Sequence, residues 1–203
     1  TIKVMMDDRS TYYSETVSVE VKDPFVTTGA SLTHYYGNGG LVTIPTRLKL
    51  QEIGSFAFSN FEYIPKPAEE LAFDDAETSK QWFIGDSTIT KVILPEGIEK
   101  IGAYAFANLT ALEEVVLPTT LKYIEYGAFY GCTSLKKVYF NAEELSSLGK
   151  TRSALAECSS LETVVIGGTV TGLPQKAFSQ CSALKSVTLP ESLETIGDGA
   201  FED

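Results

Sequence analysis

Three cysteines have the residue type and the spacing that could support chemistry. They lie 26 and 23 residues apart, at Cys132, Cys158 and Cys181. A repeating fold would bring such a column of thiols together, which would suit disulfides or a thiolate-bound metal. The alternative is that each thiol is a small buried hydrophobic group. Leu109 stands 23 residues before Cys132 and the chain has no C-x-x-C pair, so we expect core packing of reduced thiols.

The single histidine and one acidic segment are the other candidates for chemistry. His34 has no patterned Ser, Cys or Asp partners for nucleophilic catalysis, and one histidine supplies too few ligands for a zinc enzyme. We therefore expect His34 at a capping or surface position. Five carboxylates cluster within residues 66–80, at Glu69, Glu70, Asp74, Asp75 and Glu77. This segment lacks the spacing and the turn glycine of a calcium loop, and it is more typical of a solvated amphipathic helix. The sequence thus predicts no catalytic residues, no metal and no cofactor.

The charge balance excludes two classes of partner. The 203 residues include 16 Lys and Arg against 27 Asp and Glu, for a net charge of −11. Such a chain repels nucleic-acid phosphates and anionic membrane surfaces. No apolar run approaches the roughly 20 residues that a membrane span needs. We therefore expect no nucleic-acid binding and no membrane insertion.

An internal repeat predicts the elements that position these residues. One column, mostly phenylalanine, comprises Phe58, Phe83, Phe106, Phe129, Leu155, Phe178 and Phe201. Two further columns share its later steps of 23, 23, 26 and 23 residues. They are Ile89, Leu112, Leu135, Leu161 and Leu184, and Val92, Val115, Val138, Val164 and Val187. A fixed period of this length is the signature of a solenoid, in which stacked units bury a continuous core.

Each part of the unit has a physical role. The segment 113–118 alternates in hydropathy, which predicts a half-buried strand that ends at Pro118. A short helical turn is expected at the following Gly-x-x-Ala-Phe pattern, where the small alanine allows close approach and the phenylalanine fills the interior. The fold class is therefore α/β, a leucine-rich-repeat solenoid of about six to seven 23-residue coils. We expect one parallel sheet with the valine column buried along it.

The complete unit reads L-x-x-V-x-L-P-x-x-L-x-x-I-G-x-x-A-F-x-x-C-x-x, and it closely resembles the BspA-like leucine-rich repeats of bacterial cell-surface proteins. The resemblance covers roughly residues 35–203. It implies a secreted or cell-surface, non-catalytic module that binds a host or bacterial surface protein or a glycan. The alternative is a structural spacer or stalk within a larger surface protein.

The first residues do not fit the repeat. The segments TIKVMM and TVSVEV flank a polar turn at residues 7–10, which predicts a β-hairpin. We assign residues 1–28 to this hairpin, as a remnant of an immunoglobulin-like domain or as an amino-terminal cap. Residues 29–203 are assigned to the solenoid.

The outward strand positions form the candidate binding site. One exposed row is predicted at Ile93, Val116, Tyr139, Val165 and Thr188, with a flanking row that begins at Lys91, Glu114 and Lys137. Parallel strands lie about 4.8 Å apart, so such rows form continuous surfaces, and exposed apolar rows often mark binding sites. The same residue types are also favoured on any half-exposed sheet. Both interpretations stay open at this stage.

The carboxyl end carries a last expectation. The chain begins without a methionine and stops two residues after Phe201, so both ends look like cuts. We expect Leu189, Ile196 and Phe201 to present an uncapped apolar face, and the chain to self-associate or fray there.

Overall fold

The computed structural model describes residues 23–60, 84–140, 142, 147–148 and 153–202. Six parallel strands form the first sheet, in the order β15-β13-β11-β9-β7-β3. They are β3 (Gly40–Thr43), β7 (Ile89–Ile93), β9 (Glu114–Val116), β11 (Lys137–Phe140), β13 (Thr163–Ile166) and β15 (Ser186–Thr188). Each strand belongs to one coil, so the predicted solenoid with a parallel sheet is confirmed.

A second sheet runs beside the first, in the order β1-β2-β4-β8-β10-β12. Its strands are β1 (Phe25–Thr28), β2 (Ser31–Tyr35), β4 (Glu52–Ile53), β8 (Lys100–Ile101), β10 (Tyr123–Ile124) and β12 (Ser147–Leu148). Two further pairs are β14 (Gly172–Leu173) with β16 (Thr195–Ile196), which is parallel, and β5 (Ser59–Asn60) with β6 (Ile84–Gly85), which is antiparallel. Strand β1 pairs antiparallel with β2 and covers its edge.

Some expectations fall on parts of the chain that the structure does not describe. The hairpin predicted within residues 1–24, the acidic segment 66–80 and Phe83 lie outside the described residues, apart from the last two positions of the hairpin segment. The division of the chain at residue 28 stays a prediction.

The third side of each coil is a series of turns joined by a backbone ladder. The amide of Phe106 donates to the carbonyl of Ala128 over 2.8 Å, and the amide of Phe129 donates to Ala154 over 2.8 Å. The expected helical turn is therefore a run of turns, and the only helix in the described residues is the 3-10 helix Thr46–Leu48. A helix cannot form here because the neighbouring coil already takes every second amide.

The core lies between these three sides. Val92, Val115, Val138 and Val164 are successive along the first sheet and at most 6% exposed, as predicted. Val187 is only half-buried, since β15 is the edge strand and no coil covers it. Phe106 and Phe129 stack with ring centroids 5.2 Å apart, so the phenylalanine column forms a continuous aromatic stack through the interior.

Two positions in each coil adopt the left-handed backbone conformation. One precedes the Ala-Phe pair and the other follows it by two residues. The first set comprises Phe56, Tyr104, Gly127, Lys176 and Gly199, and the second comprises Asn108, Gly131, Glu157 and Gln180. Side chains other than glycine are strained there by roughly 1 kcal/mol or more, and the interlocking ladder is what holds them in place.

Candidate functional site

The outer face of the first sheet carries the predicted row. Ile93 lies opposite Val116, and Tyr139 lies opposite Val165, which in turn lies opposite Thr188. Val116 and Tyr139 are 39% and 46% exposed. The structure therefore brings the five residues together as one surface, which we call the sheet row.

The sheet row continues onto β3, where sequence reasoning did not extend it. Thr43 lies opposite Ile93, and Leu41 lies opposite Lys91 with 61% of its surface exposed. The signal was the strand-like segment LVTIP at residues 41–45. It was missed because the insertion between this coil and the next breaks the 23-residue step.

The charges that flank the row almost cancel. Lys91 Nζ lies 2.7 Å from Glu114 Oε2 on the adjacent strand. Lys137 has no ion-pair partner within the described part of the chain. From residue 90 onward, the positions on this face include four lysines and three glutamates, at Lys91, Lys136, Lys137, Lys185, Glu113, Glu114 and Glu162. This face is therefore close to neutral in a protein with a net charge of −11.

The three thiols lie in the interior. Cys132, Cys158 and Cys181 are at most 3% exposed and form no disulfide. Each sulfur lies 3.1–3.2 Å from a carbonyl of the preceding coil, those of Phe106, Phe129 and Leu155 respectively. The thiol is a weak donor, so the column joins successive coils while it fills the core. Core packing is confirmed, and the thiols serve the fold rather than catalysis.

Burial also sets how these thiols react. It raises the pKa of Cys132 to about 12, and burial together with the neighbouring thiols raises the pKa of Cys158 well above its ordinary value. Because the thiolate is the nucleophile, we expect a maleimide to label the native protein slowly at pH 7 to 8. All three thiols should react quickly in urea, and that control shows that the reagent is competent. Rapid native labelling of all three would contradict this. The raised pKa also predicts that stability falls as the pH rises from about 9 toward 12, since the unfolded thiol then ionises first.

The remaining candidates form no site of their own. His34 lies half-buried on β2, with its ring centroid 4.2 Å from that of Tyr36, which fits the expected position at the end of the solenoid. Within the described ranges, no three His, Cys, Asp or Glu side chains are grouped so that they could hold a metal ion. In the same ranges, no helix has the length and apolarity to cross a bilayer.

Comparison with known families identifies the repeat. The sequence profile of the BspA type leucine rich repeat region matches residues 76–203, in six copies. A search of curated proteins finds no match.

Three solved structures are similar to the chain. A leucine rich cell surface protein from Faecalibacterium prausnitzii has 25% identity and a TM-score of 0.63, over 94% of this chain and 47% of its own. The pneumococcal vaccine antigen PcpA has 26% identity and a TM-score of 0.55, over 85% of this chain and 34% of its own. A leucine rich repeat protein from T. pallidum shares the fold at 22% identity and a TM-score of 0.54, over 84% of this chain and 79% of its own. The chain thus spans about half of the first structure and about a third of the second.

Proposed function

Because the chain belongs to the BspA-type leucine-rich repeat family, we propose that it is a non-catalytic, extracellular binding module of a bacterial surface protein. It recognises a protein or a glycan through the sheet row. Similarity to a bacterial cell surface protein supports the location, and the continuous exposed row on β3 to β15 is the observation that carries the binding role. The coarser statement is secure: the chain is a leucine-rich-repeat protein of the type found on bacterial surfaces.

The chemistry of the sheet row favours a protein partner over a glycan. Its exposed members are aliphatic or hydroxylated except for one aromatic ring, that of Tyr139. A sugar chain is typically held by several rings, whereas an apolar patch with a polar rim is usual in protein interfaces. The near-neutral flank removes the need for a basic partner.

A structural spacer is the second candidate, and one observation favours it. Backbone hydrogen bonds join successive coils on all three sides, so the solenoid is held at regular intervals along its length. A spacer of this kind would carry another domain away from the cell and would need no ligand.

A substitution on the sheet row separates the two candidates. The purified protein is first screened against host matrix proteins and glycans. Tyr139→Lys should then weaken binding of the ligand found by about tenfold or more, because it places a charge in the middle of an apolar contact. The matched control is Tyr123→Lys, since Tyr123 is 48% exposed on β10 of the second sheet. Equal binding by the two variants, or no ligand in the screen, would favour the spacer.

A further inference from the structure

The last described coil presents an apolar end face. Leu189, Ile196 and Phe201 are 36%, 52% and 49% exposed. The equivalent residues of an interior coil, Leu94, Ile101 and Phe106, are at most 4% exposed. Strands β15 and β16 each pair on one side only within the described residues. The end face therefore leaves both apolar surface and strand edges uncovered.

This last coil is nearly a copy of one whose contacts are visible. Residues 187–201 and 92–106 are identical at nine of fifteen positions. The shared residues include the polar pair Glu96 and Glu99, which corresponds to Glu191 and Glu194. What binds the interior copy therefore indicates what suits the end face.

The interior copy is covered by the coil that contains residues 115–129. Thr119 donates to Glu96 from both its amide (3.1 Å) and its hydroxyl (3.0 Å), and these contacts hold the pKa of the Glu96 carboxyl below its ordinary value. Thr120 Oγ1 accepts from the amide of Gly97 at 3.0 Å and donates to the carbonyl of Ile98 at 2.8 Å.

A charge pair and a ring stack complete this interface. Lys122 Nζ lies 3.4 Å from Glu99 Oε1, and Phe129 stacks on Phe106. The segment Thr-Thr-Leu-Lys at residues 119–122 thus matches the Glu-x-x-Glu of the coil beneath it.

The end face offers the same groups without their counterparts. Glu191 and Glu194 are exposed, and neither forms an ion pair with any residue that the structure describes. Ser192 stands at the place of Gly97, and its hydroxyl is directed to the carbonyl of Val170 in the coil below, 2.9 Å away. The unmatched groups are therefore two carboxylates, one ring and two strand edges.

We propose that this end face is the docking surface for a further coil of the same repeat type, one that carries Thr-Thr-Leu-Lys after its strand proline. The coil enters in the same register, with its strands parallel to β15 and β16. Its two hydroxyl residues meet Glu191, its lysine meets Glu194, and its phenylalanine stacks on Phe201. A second copy of the end face fits less well, because Glu191 and Glu194 would approach the same carboxylates on the other molecule. Self-association through this end stays a prediction.

The chain supplies both a matching coil and a mismatched control. In one fusion, a copy of residues 109–134 follows Asp203 and presents Thr-Thr-Leu-Lys. In the other, a copy of residues 86–111 is joined at the same register and presents Glu-Gly-Ile-Glu on the same apolar columns. Hydrogen exchange of the β15 and β16 amides is measured in both fusions and in the 203-residue protein, with light scattering to report association.

The matching coil should slow exchange of these amides to the rate of the interior strands. The mismatched coil should protect them about fivefold less, since like charges face each other at two positions. Glu194→Lys should reverse part of this preference, improving the mismatched coil and weakening the matching one. Equal protection by both coils would overturn the proposal and leave only generic apolar stacking. Protection of the 203-residue protein that rises with its concentration, together with larger scattering, would overturn it in favour of a second copy.

Discussion

Phe129→Ala should lower the free energy of unfolding by about 3–5 kcal/mol, the usual cost of removing a fully buried phenylalanine. The Phe129 ring is 0% exposed and stacks on Phe106 at an interplanar angle of 8°. The next coil has Leu155 at this position, so no ring lies there to fill the cavity. The loss should appear in urea denaturation as a lower midpoint.

Two variants of the same column serve as controls. Phe129→Leu should cost less than about 1.5 kcal/mol, because Leu155 shows that leucine fits the column. Phe201→Ala should have a small effect, since Phe201 is 49% exposed. If Phe201→Ala is as costly as Phe129→Ala, the aromatic column is not the core that the repeat predicts.

The repeat frame predicted the core and the sheet row because both depend on periodicity. Val92, Val115, Val138 and Val164 recur at fixed steps, and a parallel sheet must place such residues in line. The identity of Tyr139 as an exposed residue followed from the same alternation. Leu41 was not predicted, since the coil that contains it is separated from the next by an insertion.

The turn conformations could not be predicted from residue types alone. The position before each Ala-Phe pair is Phe56, Tyr104, Gly127 or Lys176 in different coils, yet φ is positive in all of them. Glycine alone would have signalled this conformation. The backbone ladder between coils imposes it, because the amide of Tyr104 must reach the carbonyl of Tyr126 whatever its side chain prefers. The same ladder explains why turns replace the expected helical turn.

The glycine of the Ile-Gly pair has a second kind of constraint, close approach between coils. A Cβ atom on Gly102 would lie 2.5 Å from the amide nitrogen of Ser55 and 2.8 Å from the carbonyl carbon of Gly54. These atoms are backbone, and they cannot withdraw because Gly102 donates to the carbonyl of Ile53 over 2.7 Å. Glu125 occupies the same column in the next coil, so the restriction belongs to this particular pair of coils.

Gly102→Ala should therefore destabilise the protein by about 1–3 kcal/mol, the range expected when an added methyl group forces packed backbones apart. The matched control is Gly197→Ala, whose Cβ would lie 2.5 Å from the amide nitrogen of Gln175. The crowding is the same, but the last described coil has a neighbour on one side only within the described residues and can shift outward. We expect Gly197→Ala to speed hydrogen exchange in β16 with little change in the urea midpoint. Equal midpoints for Gly102→Ala and the unmodified protein would show that the coils can separate at no cost, and that the inter-coil ladder does not fix their spacing.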